Sequence, residues 1–302
     1  MKVFYHNDND GKCAAHIVDR YYNLDPPDHA SQLLIKYYPM EYGKQFPIED
    51  VIKDEKVYIL DYSIEPEEMK ELLEITKDVI WIDHHKSAIE KYDDLLSELH
   101  FNGDDIEGYR AITFSGCELT WLYLHPPNEG KEMPEYVNLI GDRDTWRWEH
   151  GDKTKYFHYG LGMSSCDPLD EIWQMAMRNV NTIIGSGTAI SVYVQEQSIN
   201  AINERGFWID FHGFKTYAIN SDLVRSSEFF EQARPDAQIW MTFRFIPNSL
   251  RAHFEGYWTI SLYSKEVDVS QIANQYEYEG KIGGGHAGAS GFQSADLSFL
   301  KD

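Results

Sequence analysis

Four β-prone apolar residues in a row, Val79, Ile80, Trp81 and Ile82, run directly into Asp83, His84 and His85. A run this short and this uniformly apolar reads as a strand covered on both faces, the habit of parallel sheets. Open parallel sheets bind their ligands at the carboxyl edge of the strands. One carboxylate and two imidazoles at that edge therefore make a candidate site. Two more predicted strands end similarly: Val3–Tyr5 delivers His6, Asp8 and Asp10, and Val57–Leu60 stops at Asp61. One acid at a strand end is common; three such ends in one sheet, one carrying a histidine pair, are not.

Helical patterns lie between the strands. Lys12–Tyr22 carries Ala14, Ala15, Ile17, Val18 and Tyr21 on one face, and Asp25-Pro26-Pro27 breaks it. A strand is expected over Leu33–Tyr38. Pro66–Thr76 has proline at its start and Glu67 and Glu68 in its first turn, where the helix dipole favours acids. Arg110–Phe114 reads as a strand and Gly116–Leu124 as a helix. Pro134–Ile140 reads as a short helix ending in a Gly141-Asp142-Arg143-Asp144 loop. The alternation predicts an α/β chain whose first domain, residues 1–180, is parallel and doubly wound. Helices follow at Leu169–Asn181 and Thr188–Glu204, with residues 181–206 as a connecting segment. The pattern then turns to β at Phe207–Phe211, Lys215–Asn220, Gln238–Ile246 and Tyr257–Ser264. Helices are expected near 226–232 and 269–276, and a glycine-rich loop over Gly283–Phe292. Residues 207–302 are thus expected to form a smaller mixed α/β domain.

With 302 residues, 42% hydrophobic and 14% aromatic, the chain can build two real cores. A net charge of −23 repels long polyanions and argues against sequence-independent wrapping of duplex DNA. Cys13, Cys117 and Cys166 form no C-x-x-C pair, so buried free thiols and a reducing cytoplasm are expected. The first residues lack the apolar core of a signal peptide, and no run of about 18 uncharged apolar residues predicts a membrane span.

About five carboxylates and two or three imidazoles at one edge are too much charge to gather without cations. Oxygen and nitrogen donors without thiolate suit Mn²⁺, Mg²⁺ or a similar ion. Two ions roughly 3.5–4 Å apart, sharing a carboxylate, would hold a hydroxide and clamp a phosphoryl oxygen, which points to phosphate ester or anhydride hydrolysis. Asp8-Asn9-Asp10-Gly11 is a poor EF-hand, because the loop would place Ile17 where the bidentate glutamate belongs. No G-x-x-x-x-G-K-[ST] loop is present.

His6-Asn7-Asp8-Asn9-Asp10-Gly11, Asp61 after its strand, Asp83-His84-His85 and Gly141-Asp142 resemble the four motifs of the DHH phosphoesterases. Gly283-Gly284-Gly285-His286 with the following Ala287–Phe292 resembles the signature of the C-terminal DHH-associated domain. The resemblance implies that Asp8 sits on one metal and Asp10 on the other, with Asp61 bridging. His84 and Asp142 would complete the shell of the second ion, Asp144 being the alternative to Asp142. Asp83 would orient a histidine, and His85 would be a ligand or face the substrate. His6 lies two residues before Asp8 rather than the family's four, so it is a ligand or a strand-end packing residue. Backbone N–H groups of Gly283–Gly285 would hold an anion, with His286 on the substrate. Tyr263 stands where relatives carry an arginine, so Arg251, or Arg225 or Arg244, would supply the missing cation.

The resulting expectation is a two-Mn²⁺ phosphodiesterase, Mg²⁺ or Co²⁺ being possible, that hydrolyses short single-stranded oligonucleotides or small nucleotides between two lobes; a homodimer is compatible with it. A RecJ-like single-strand exonuclease, a pyrophosphatase and a nucleotide-binding module without catalysis are the alternatives. The family resemblance also includes nano-RNases and cyclic dinucleotide phosphodiesterases.

Overall fold

Three of the apolar runs form neighbouring strands of one parallel sheet: β1 (Lys2–His6), β3 (Val57–Leu60) and β4 (Val79–Ile82), with β2 (Lys36–Met40) outside β1 in the order β2-β1-β3-β4. The computed structural model describes residues 1–24, 34–42, 44–99, 106–224, 226–247 and 256–301. These residues divide into two units, Met1–Ile190 and Ser191–Asp302.

Period-two alternation explains why the strands of the first unit are apolar throughout. Val3, Tyr5, Tyr58, Leu60, Ile80 and Ile82 point into one core, with residues of α1 (Asn9–Asp19), α4 (Gly116–Leu124) and α5 (Glu135–Asp144). Phe4, Val57, Ile59, Val79 and Trp81 point the other way, against Met69, Leu72 and Leu73 of α2 (Pro66–Ile75) and Tyr92 of α3 (Lys86–Leu99). Helices thus cover both faces, as a doubly wound sheet requires. Register pairs Tyr5 with Leu60 and Leu60 with Ile82. The next residues along, His6, Asp61 and Asp83, therefore emerge side by side.

Several expected elements shift. Asp8 caps α1 by accepting the Gly11 N–H at 2.9 Å, so this helix begins at Asn9, not Lys12. A π-helical turn, Arg20–Leu24, follows it; residues 25–27 and Leu33 lie outside the described residues. Arg110–Phe114 is not a strand: the backbone of residues 107–111 meets the edge of the sheet at the isolated bridges Ile80–Glu107 and Asp83–Arg110. The short helix before Gly141 does not stop there, and α5 runs on through Asp144. Next come α6 (Asp152–Leu161), α7 (Glu171–Arg178) and the 26-residue α8 (Val180–Arg205).

The second unit is a six-stranded mixed sheet. Its strands are β5 (Phe207–Phe211), β6 (Phe214–Asn220), β7 (Ile239–Pro247), β8 (Gly256–Tyr263), β11 (Gly284–His286) and β12 (Ala289–Ser294), in the order β11-β12-β8-β7-β6-β5. β6 and β7 run parallel, and the other paired neighbours named here run antiparallel. Helices α9 (Ser227–Ala233) and α10 (Val269–Ala273) pack on it, and β9 (Glu277–Tyr278) with β10 (Lys281–Ile282) makes a separate hairpin. The glycine-rich stretch is thus a β-hairpin, β11–β12, rather than a loop. The architecture is α/β: a doubly wound parallel sheet, a long helix and a mixed sheet. Among the described residues no helix is long and apolar enough to cross a membrane.

Candidate metal centre

Asp61 carries the geometry of the site. It leaves β3 in the left-handed region, with φ 52°, a conformation that costs a non-glycine residue roughly 1–3 kcal/mol. Its side chain is 1% exposed, and among the described residues neither carboxylate oxygen has a partner of good hydrogen-bond geometry, although an imidazole approaches each. Burial and the neighbouring Asp10 carboxylate push its pKa well above the ordinary range. A buried carboxylate without a well-aligned donor is a costly object unless a cation sits on it.

Imidazoles flank it on both sides. His84 Nε2 lies 3.1 Å from Asp61 Oδ1, 3.3 Å from Asp144 Oδ2 and 3.8 Å from Asp10 Oδ2. His6 Nδ1 lies 2.7 Å from Asp8 Oδ2 and 3.7 Å from Asp61 Oδ2. Burial lowers the His6 pKa, but the carboxylates of Asp61 and Asp8 outweigh it and raise it to about 10. Asp144 is raised to about 7 by burial and by Asp10. Asp8, despite its burial, is instead held below the ordinary carboxylate range by its hydrogen bond to His6.

Among the described residues, three sets of donor atoms can be drawn whose members lie within 4.8 Å of one another: His6, Asp8 and Asp61; Asp61, His84 and His85; Asp10, His84 and Asp144. Asp61 belongs to the first two and His84 to the last two. Oxygen and imidazole donors without sulfur fit a hard or borderline divalent ion.

The supporting groups are held firmly. Asp10 sits at the N-terminus of α4, accepting from Gly116 N–H at 2.6 Å, Cys117 N–H at 3.0 Å and Ser115 Oγ at 2.8 Å. A helix N-terminus is a natural seat for a carboxylate. Asp83 is fully buried and accepts from the Ser63 hydroxyl and from the backbone N–H of His84 and His85 at 2.8 and 3.2 Å. It also holds His85 Nδ1 at 2.7 Å. Burial alone would raise the Asp83 pKa, but these hydrogen bonds lower it, and Asp83 in turn raises that of His85 against the opposing effect of burial.

Of the two acids on α5, Asp144 faces the cluster and Asp142 does not. Asp142 accepts from Glu149 N–H at 2.7 Å, His150 N–H at 3.2 Å and the Thr154 hydroxyl. Residues two apart on a helix point to nearly opposite sides, so extending α5 through this segment separates the two carboxylates. A loop would have left both free to turn inward. The close approach of α4 and α5 that aims Asp144 depends on Gly141, whose Cβ would lie 2.3 Å from the Glu118 carboxylate.

In the second unit, Gly283–Gly285 line a cavity of about 530 Å³ with Tyr263 and Lys281, while His286 is exposed outside it. Gly283 N–H already donates to the Tyr276 carbonyl at 2.9 Å, so it is not available for an anion. Arg244 lines a second cavity of about 240 Å³ with Asp222 and Tyr263. Arg225 and Arg251 lie outside the described residues. Sequence reasoning did not single out Ser63, Ser115 or Lys281. Ser115 had a visible signal in Ser115-Gly116-Cys117-Glu118, a capping box; the other two had none.

No family model matches the chain. An uncharacterized protein of Acanthamoeba polyphaga mimivirus is 24% identical across 96% of this chain, which spans 66% of that protein's length. A solved structure described as the DHH domain of a member of a family of ribosomal proteins superposes with TM-score 0.50 at 16% identity, covering 97% of this chain and 82% of that one. Exonuclease RecJ bound to manganese aligns over 99% of this chain and 86% of its own, with TM-score 0.45 and 13% identity. The fold is that of the DHH-domain structure.

Proposed function

We propose, from the DHH-domain fold and the centre built on its first sheet, that this chain is a metal-dependent phosphodiesterase acting on short single-stranded oligonucleotides or small nucleotides. The observation that carries the reading is Asp61: buried, without a well-aligned donor among the described residues, and common to two sets of ligand atoms. His6, Asp8 and Asp61 would hold one divalent ion, and Asp10, His84 and Asp144 the other, with His84 3.1 Å from Asp61, Mn²⁺ being the ion of first choice and Mg²⁺ or Co²⁺ the alternatives. Two such ions supply an acidified water and charge neutralisation at phosphorus.

The chain's own residues do the rest. Asp61 draws both ligand sets together. Asp83, fixed by Ser63 and two N–H groups, keeps a proton on His85 Nδ1 and so leaves Nε2 for the substrate. Asp142 would hold the segment after α5 rather than a metal. Tyr42, whose ring lies 5.5 Å from that of His6 and 5.8 Å from that of His85, narrows access beside them. In the second unit, the β11–β12 hairpin and Lys281 would offer a separate surface to an anion.

A substrate panel tests the reading. Protein stripped with chelator and resupplied with Mn²⁺ should hydrolyse RNA dimers to pentamers faster than a 30-mer of single-stranded DNA, and Asp61→Asn should reduce the rate at least about 1,000-fold. Progressive shortening of the 30-mer at a comparable rate would transfer the reading to an exonuclease. Turnover of pyrophosphate alone would transfer it to a pyrophosphatase. Nucleotide binding without any turnover would leave a binding module.

A further inference from the structure

A cavity of about 430 Å³ opens from the metal centre within the first unit, its wall running from Asp10 and Asp144 to Arg143, Trp146, Phe157 and His158. That volume lies within the roughly 300–1,000 Å³ of small-molecule sites. Trp146 is 65% exposed, unusual for so large an apolar side chain beside a cluster of charges. The Arg143 guanidinium lies 4.2 Å from its ring centroid and 5.1 Å from that of Trp148, and the two indoles are 5.4 Å apart. A guanidinium stacked on an indole stiffens it and fixes its plane. Trp146 and Trp148 both have φ 55°, so the chain holds these two side chains here in a left-handed backbone conformation. Phe157 adds an apolar wall. His158, exposed at the rim, adds an imidazole to the lining.

We propose that this cavity takes the nucleobase of the nucleotide whose phosphate lies on the metal centre, with Trp146 as its stacking platform. The proposal rests on the phosphodiesterase reading and names the part of the substrate next to the reacting phosphate. The lining has the requirements of a flat heterocycle: an aromatic face, an apolar wall and a small set of polar groups at the edge. Asp10 and Asp144 of the metal centre line the same cavity as Trp146, so one cavity offers groups for both the phosphate and the base of a nucleotide. Stacking accepts every base, so little base preference is expected.

The test measures binding, without turnover, of adenosine 5′-monophosphate and of ribose 5-phosphate, which lacks the base, by calorimetry with Mn²⁺ present. The wild type should bind the nucleotide more tightly than the sugar phosphate. Trp146→Ala should cut that preference by about 5–100-fold, the range of a lost base–aromatic stack. Trp146→Phe should restore most of it, which separates loss of an aromatic face from damage to the fold. An unchanged preference in Trp146→Ala, or none in the wild type, overturns the proposal. If no nucleotide is hydrolysed and yet the preference collapses in Trp146→Ala, the phosphodiesterase reading fails and the base pocket stands. With turnover, kcat/KM for a dinucleotide should fall in Trp146→Ala mainly through KM; a fall confined to kcat counts against the stack.

Discussion

A methyl group added at Gly116 would put a Cβ 2.5 Å from Cβ and 2.9 Å from Oδ1 of Asp61. The first residue of α4 is therefore glycine because the Asp61 side chain stands against it. Gly116→Ala should weaken Mn²⁺ binding by at least about tenfold while the helix still forms, since alanine is the better helix former; calorimetric titration checks it. His16 offers a prediction about stability rather than function. Buried and bonded to the Pro168 carbonyl through Nδ1 at 2.9 Å, it has its pKa lowered to about 4 by desolvation. Below about pH 6.5 the unfolded chain takes up a proton that the folded chain refuses, so stability falls as pH falls from about 6.5 to 4, by up to about 3 kcal/mol. Urea unfolding of His16→Gln should show a shallower loss between pH 7 and pH 5 than the wild type. Equal slopes would remove His16 as the cause.

Elements decide which of these residues was legible in advance. Asp61 and Asp83-His84-His85 could be read because a strand buried on both faces is apolar throughout and its end is abrupt. Asp144 could not be chosen over Asp142, because both are acids and only the extension of α5 through Asp144 assigns them opposite sides. The β11–β12 hairpin was hidden for a different reason: its glycines carry no alternation, and pairing with β8 is a long-range contact. Arg110–Phe114 lacked the alternation of a half-buried strand and proved to meet the sheet edge at isolated bridges. The two acids of α5 make a paired prediction. Asp144→Asn should lower metal affinity and activity with little change in melting temperature. Asp142→Asn should instead destabilise the fold by about 1–3 kcal/mol, because Glu149 N–H, His150 N–H and the Thr154 hydroxyl lose a charged acceptor. The reverse pattern would return Asp142 to the ligand set.

Across the whole molecule the net charge of −23 opposes the approach of any anionic substrate. Added salt screens that repulsion, so kcat/KM should rise between low and physiological ionic strength, more for a 30-mer than for a dinucleotide. A fall with salt would reveal a basic track that the composition conceals. The charge also favours divalent cations at the proposed centre. Chelator-stripped protein titrated with Mn²⁺, with free ion followed by electron paramagnetic resonance, should bind two tight ions per chain, and Asp61→Ala no more than one. A single tight ion in the wild type, or two retained without the Asp61 carboxylate, would contradict a centre built around that residue.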